Sequence, residues 1–79
     1  MANVAIIGLG NFGTALAKVW LSAGHDVTGW TVEQEVYDTI RASGINEKYL
    51  DGFTRDGLEV SMQLETTVAT AEIVVLALP

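Results

Sequence analysis

With 79 residues, 49% of them apolar, and two each of Trp, Tyr and Phe, the chain has room for one domain and is too hydrophobic to stay disordered. Ten acidic side chains against four basic ones leave a formal charge of −6, which repels phosphate backbones and anionic membranes and argues against nucleic acid or lipid as a partner. Cysteine is absent, which excludes disulfides and thiol chemistry; with no signal-peptide pattern and no apolar run near the roughly 20 residues that cross a bilayer, a cytoplasmic protein is expected.

Val4-Ala5-Ile6-Ile7 is a continuous apolar run ending at Gly8, the pattern of a strand buried on both faces of a parallel sheet. Beyond it, Phe12, Ala15, Leu16, Val19, Trp20 and Ala23 recur at helical spacing and predict a helix with that stripe inward, stopped by Gly24. A Gly24-His25-Asp26 turn follows, in which the single histidine serves the chain reversal, and Val27 to Trp30 predict a second strand. Thr31 with Gln34 three residues later has the form of a capping box, opening a helix whose inward face is Val36, Tyr37 and Ile40 and which closes at Ser43-Gly44. Asn46 to Gly57 has no clean period and reads as a loop. Glu59 to Gln63 predicts a third strand, Leu64 to Ala71 a short helix, and Ile73 to Leu78 another fully buried strand.

Alternating strands and helices imply an α/β fold: a parallel sheet with right-handed crossovers, four strands in spatial order 3-2-1-4 and helices on both faces. That is a partial Rossmann-type sheet, so residues 1–79 are expected to form the amino-terminal half of a dinucleotide-binding domain. At the end of such a half sheet the apolar fourth strand is an open edge, which suggests a homodimer formed by strand addition.

Gly8-Leu9-Gly10-Asn11-Phe12-Gly13 fits G-x-G-x-x-G and stands straight after a buried strand, at the mouth of a helix. Gly8 suits the tight turn, Gly10 a close approach of backbone to pyrophosphate, and Gly13 the close packing of helix on strand. Exposed N–H groups and the positive end of the helix dipole then meet the phosphates. Glu33, 20 residues after Gly13, stands where a carboxylate accepts hydrogen bonds from ribose hydroxyls and repels a 2′-phosphate, favouring NAD over NADP. The same features have plainer readings: a glycine turn that only joins strand to helix, and an acid in the first turn of a helix stabilised by its dipole. Lys18 and Arg41 fall on solvated helix faces, Trp20 and Trp30 read as core, and no metal-ligand spacing or catalytic constellation stands out.

The segment GLGNFGTALAK, Gly8 to Lys18, resembles the cofactor loop of NAD(P)-dependent glycerol-3-phosphate dehydrogenases, which commonly carry Ser or Asn after the second glycine and Trp or Phe before the third. GHDVTGW (Gly24 to Trp30), NEKYLDG (Asn46 to Gly52) and AEIVVLALP (Ala71 to Pro79) extend the resemblance over nearly the whole chain. It implies that Gly8, Leu9, Gly10, Asn11, Phe12 and Gly13 contact the dinucleotide and that Val32 and Glu33 line its adenosine side. Many bacterial members place an arginine after the second-strand tryptophan, suiting NADP. Trp30-Thr31-Val32-Glu33 is closer to the NAD-preferring pattern, while Asp51 departs from the proline usual at its position. The resemblance further implies a parent oxidoreductase that interconverts glycerol 3-phosphate and dihydroxyacetone phosphate for phospholipid synthesis. In that family the catalytic lysines and the helical substrate domain lie beyond position 79, so no catalytic residue is assigned and the isolated chain is expected to be inactive. Two other readings stand beside it. The β-hydroxyacid dehydrogenase group shares the GLG start but has methionine in place of Phe12 and an asparagine-arginine pair after the second strand; the other is a stand-alone, non-catalytic nucleotide-binding module.

Overall fold

The computed structural model describes residues 2–43 and 58–77. Along the chain these form β1 (Asn3–Ile7), α1 (Asn11–Ser22), β2 (Asp26–Trp30), α2 (Gln34–Ser43), β3 (Leu58–Ser61), α3 (Leu64–Ala69) and β4 (Ile73–Leu76). The four strands pair in parallel in the order β3-β2-β1-β4. With neighbours on both sides, β1 buries Val4, Ala5, Ile6 and Ile7, which is why its sequence is continuously apolar instead of alternating.

Registered partners in a parallel sheet share a face and side chains alternate along a strand. Val4, Ile6, Val27, Gly29, Leu58, Val60 and Val75 therefore lie on one face. There the apolar members meet Leu9, Ala17 of α1, Val36 and Ile40 of α2, and Ala77 in the core. The reverse face carries Ala5, Ile7, Thr28 and Trp30, and α3 covers part of it, with Thr67 buried and walling a small cleft together with Thr28. Successive crossovers run outward from β1 to β3, and the last returns across the sheet to β4. The winding thus reverses between β1 and β4, and the C-terminal ends of those strands frame a crevice.

Helix α1 faces the sheet with a different stripe from the one its spacing predicts. Gly13, Thr14 and Ala17 are buried and Leu16, Trp20 and Leu21 pack partly against the core, whereas Phe12 is 65% and Val19 63% exposed. The cause lies at the helix start: a Cβ on Gly13 would overlap the carbonyl oxygen of Gly8. So close an approach admits only small side chains between helix and sheet, and the stripe turns by one residue. At the other end Gly24 adopts φ +91° just past the Ala23 cap and donates its N–H to the Leu21 carbonyl at 3.0 Å, a left-handed position suited to glycine. His25 accepts the Ala2 N–H on Nδ1 at 2.9 Å and sets its ring edge-on to Trp20, tying the turn to the start of β1.

The predicted capping box forms only in part. Thr31 Oγ1 accepts the Glu33 N–H at 3.0 Å, but the Gln34 side chain reaches forward to Asp38 Oδ1 at 2.8 Å. Helical bonding begins with the Tyr37 N–H on the Glu33 carbonyl, so Thr31 stands two residues ahead of the cap position and fixes the turn into the helix instead. Strand β3 stops at Ser61, whose Oγ accepts the Gln63 N–H, and α3 ends at Ala69, short of the predicted Ala71. Strand β4, expected to be buried throughout, exposes Ile73, Val74 and Leu76, the last by 71%, because among the described residues only β1 pairs with it. The NEKYLDG element, the loop ending at Gly57, and Leu78 lie outside the described residues.

Candidate functional site

At the C-terminal end of β1 the chain turns at Gly8, which sits at φ +107° and donates its N–H to the Trp30 carbonyl at 2.9 Å. That φ is one L side chains rarely adopt. Leu9 then buries its side chain, and Gly10 caps α1 in extended conformation at φ −79°. Thr14 closes the turn twice, with its N–H on the Gly10 carbonyl at 3.0 Å and its hydroxyl on the Leu9 carbonyl at 3.3 Å. A Cβ built on Gly10 meets nothing within 4 Å. Its backbone is open to whatever occupies the crevice.

The crevice is a cavity of about 530 Å³, within the range of small-molecule and cofactor sites. Residues 8–12 form one wall, residues 30–33 the other, and Ala77 lines it as well. The first-turn N–H groups and the positive dipole end of α1 meet it from the first wall. Glu33 brings a carboxylate from the second, and no Lys, Arg or His is among the described lining residues. Phe12 and Val32, 65% and 69% exposed, present apolar area on opposite walls.

Of the residues picked out from sequence, Gly8, Leu9, Gly10, Asn11, Phe12, Val32 and Glu33 all line this one cavity. Gly13 does not: it is buried against Gly8, and its part is to let α1 approach β1. Sequence reasoning missed three lining residues, Trp30, Thr31 and Ala77. Trp30, read as core, is only half-buried, and its Nε1–H is enclosed without an acceptor among the described residues. Its position as the last residue of the second strand was the available signal, since ligands of open parallel sheets gather at the carboxyl ends of strands. Trp20 is half-buried against the core, and Arg41 is exposed, bonded to the Tyr37 hydroxyl at 2.9 Å with its guanidinium over the same ring. Among the described residues no group of His, Cys, Asp and Glu is placed to hold a metal ion, and no helix is long and apolar enough to cross a membrane.

Comparison with known proteins places these features in a family context. Residues 3–79 match the family described as the NAD-dependent glycerol-3-phosphate dehydrogenase N-terminus. A glycerol-3-phosphate dehydrogenase (NAD(P)+) of Corynebacterium glutamicum strain R is 42% identical over 80 residues, covering 100% of this chain and 24% of that protein. The enzyme of the same name from Staphylococcus saprophyticus is 39% identical with the same coverage. The crystal structure of glycerol-3-phosphate dehydrogenase from Coxiella burnetii superposes with a TM-score of 0.85 at 29% identity, over 95% of this chain and 23% of that one. The chain thus spans about a quarter of the length of the curated relatives it matches. These matches favour the resemblance to glycerol-3-phosphate dehydrogenases over the β-hydroxyacid dehydrogenase alternative.

Proposed function

Because the chain belongs to the family of NAD-dependent glycerol-3-phosphate dehydrogenase N-termini, we propose that residues 1–79 are the amino-terminal half of its dinucleotide-binding domain and hold the adenosine–pyrophosphate part of NAD. The observation that carries this reading is one cavity in which the glycine loop, at the N-terminus of a 12-residue helix, faces a carboxylate with no cation among the described lining residues.

Each part of the cofactor has a matching wall. The backbone of Gly8, Leu9, Gly10 and Asn11 takes the pyrophosphate, whose negative charge the helix dipole favours, and the open space over Gly10 allows phosphate oxygens to approach. Gly13 supports that loop from behind. Glu33 accepts hydrogen bonds from the ribose hydroxyls, and Phe12 and Val32 give the apolar adenine surfaces to cover. When bound, NAD supplies hydride transfer. In this reading the chain's own residues bind and orient its adenosine half, and the groups that grip substrate and move its proton belong to the remainder of a parent enzyme.

The parent's reaction, on this proposal, is the interconversion of glycerol 3-phosphate and dihydroxyacetone phosphate, a supply step for glycerophospholipids. Its setting is the cytoplasm, with which a cysteine-free chain that needs no disulfide is consistent. Among the described residues β4 pairs only with β1 and exposes Ile73, Val74 and Leu76, which supports homodimerisation of this chain by strand addition as part of the proposal; sedimentation as a monomer at high micromolar concentration rules that part out. Calorimetric titration with NADH and NADPH tests the cofactor assignment. Binding of NADH in preference to NADPH is the expected result, and binding of neither by the folded chain refutes it.

A further inference from the structure

Strand β2 carries an apolar row's missing member. In register, Gly29 lies between Ile6 of β1 and Val60 of β3, both apolar and turned to the α1–α2 face. A glycine inside a strand weakens it and commonly marks a place where something else comes close. Gly29 is not among the positive-φ glycines, so the backbone does not require it. Space does: a Cβ at position 29 would lie 2.6 Å from both methyl carbons of Leu9 and 2.9 Å from its Cγ. Leu9 is 2% exposed. So well covered a side chain can give way only toward the cavity that Leu9 itself lines, and that movement disturbs the loop.

Leu9 is also the residue between the first two glycines of the loop, Gly8 and Gly10. Its side chain points into the sheet while its carbonyl accepts the Thr14 hydroxyl, so the peptide units on either side of it are held by what the side chain rests on. We propose that the Leu9 side chain and the notch at Gly29 are a size-matched lock that sets the height of the Gly8–Gly10 backbone over the sheet, making Gly29 a positioning residue for dinucleotide binding. Gly29 does not line the cavity and acts through Leu9 alone. It precedes Trp30 in the strand that leads to Glu33, so the lock also sets the distance between the phosphate loop and the carboxylate on the opposite wall. This inference rests on the proposed dinucleotide site.

The test is a double-mutant cycle: wild type, Gly29→Ala, Leu9→Ala and the double variant, each titrated with NADH and each unfolded in urea. With Leu9 in place, Gly29→Ala is expected to raise the Kd about tenfold, as overpacking a filled site lifts the loop. In the Leu9→Ala background the same change is expected to leave the Kd unchanged or lower it, because the notch is then empty. A shift in urea midpoint with the NADH Kd unchanged, or the same loss of affinity in both backgrounds, overturns the proposal. Should Gly29→Ala not fold, Leu9→Ala against the double variant decides: binding by the double variant as tight or tighter supports the lock, and weaker binding overturns it. Wild-type chain that takes no NADH overturns the dinucleotide reading and this inference with it, an outcome distinct from variants that bind like wild type.

Discussion

Substituting alanine for the second and third glycines of the loop separates architecture from binding. At Gly13 the new methyl meets the Gly8 carbonyl oxygen and lies 3.3 Å from the Ala77 Cβ. The first of these is backbone and cannot turn aside, so α1 must move off β1. Overpacking of this kind costs about 1–3 kcal/mol, and more where the backbone has to shift. A domain of this length has about 4–12 kcal/mol in total, so Gly13→Ala is expected to remove about 2 kcal/mol or more of that stability. Gly10→Ala differs in both respects. Its φ of −79° suits alanine, and the methyl meets nothing within 4 Å. Alanine restricts the unfolded chain, a gain of about 0.4–1 kcal/mol, against a similar loss for a poorer helix cap, so stability should change by less than about 0.5 kcal/mol. In the proposed site, however, that methyl stands where the pyrophosphate approaches, and NADH affinity should fall at least about tenfold, equivalent to about 1.4 kcal/mol. Urea unfolding followed by Trp20 and Trp30 fluorescence measures the first quantity and calorimetric titration the second. A wild-type midpoint for Gly13→Ala, or a wild-type Kd for Gly10→Ala, refutes the division of roles.

Three other substitutions probe separate parts of the molecule. On the proposed role of Glu33, Glu33→Gln removes the charge that opposes a 2′-phosphate, so the ratio of NADPH to NADH affinity should rise about tenfold; an unchanged ratio in paired titrations removes Glu33 from cofactor selection. His25→Ala leaves the Ala2 N–H without its acceptor and takes away the edge-on partner of Trp20, and should lower stability by about 1 kcal/mol in urea. On the proposed homodimer, Leu76→Lys places a charge on a strand that pairs only with β1 among the described residues, and should shift the chain toward monomer in sedimentation while leaving its helical circular dichroism intact; unchanged association refutes dimerisation through this strand.

Much of the fold is legible in the sequence because it is written in local signals. The continuous apolar run before Gly8, the Gly24 stop and the alternation of strand and helix patterns follow from backbone geometry and burial within short windows, and the strand order β3-β2-β1-β4 is the one expected of a nucleotide-binding half. Gly8 and Gly13 of the loop are legible for the same reason, since the first answers to its own positive φ and the second to the Gly8 carbonyl five residues away. What needed the tertiary structure depends on distant partners. Which stripe of α1 faces inward is decided by how close Gly13 can come to Gly8, and that closeness sends Phe12 outward to the cavity wall. Trp30 has the composition of core, yet the end of its strand opens on the crevice, so the residue lines the cavity. Gly29 looks like a weak strand residue until Leu9 is seen seated on it, because helical and strand periodicities report what a segment buries and carry no record of which side chain elsewhere in the chain will need the space.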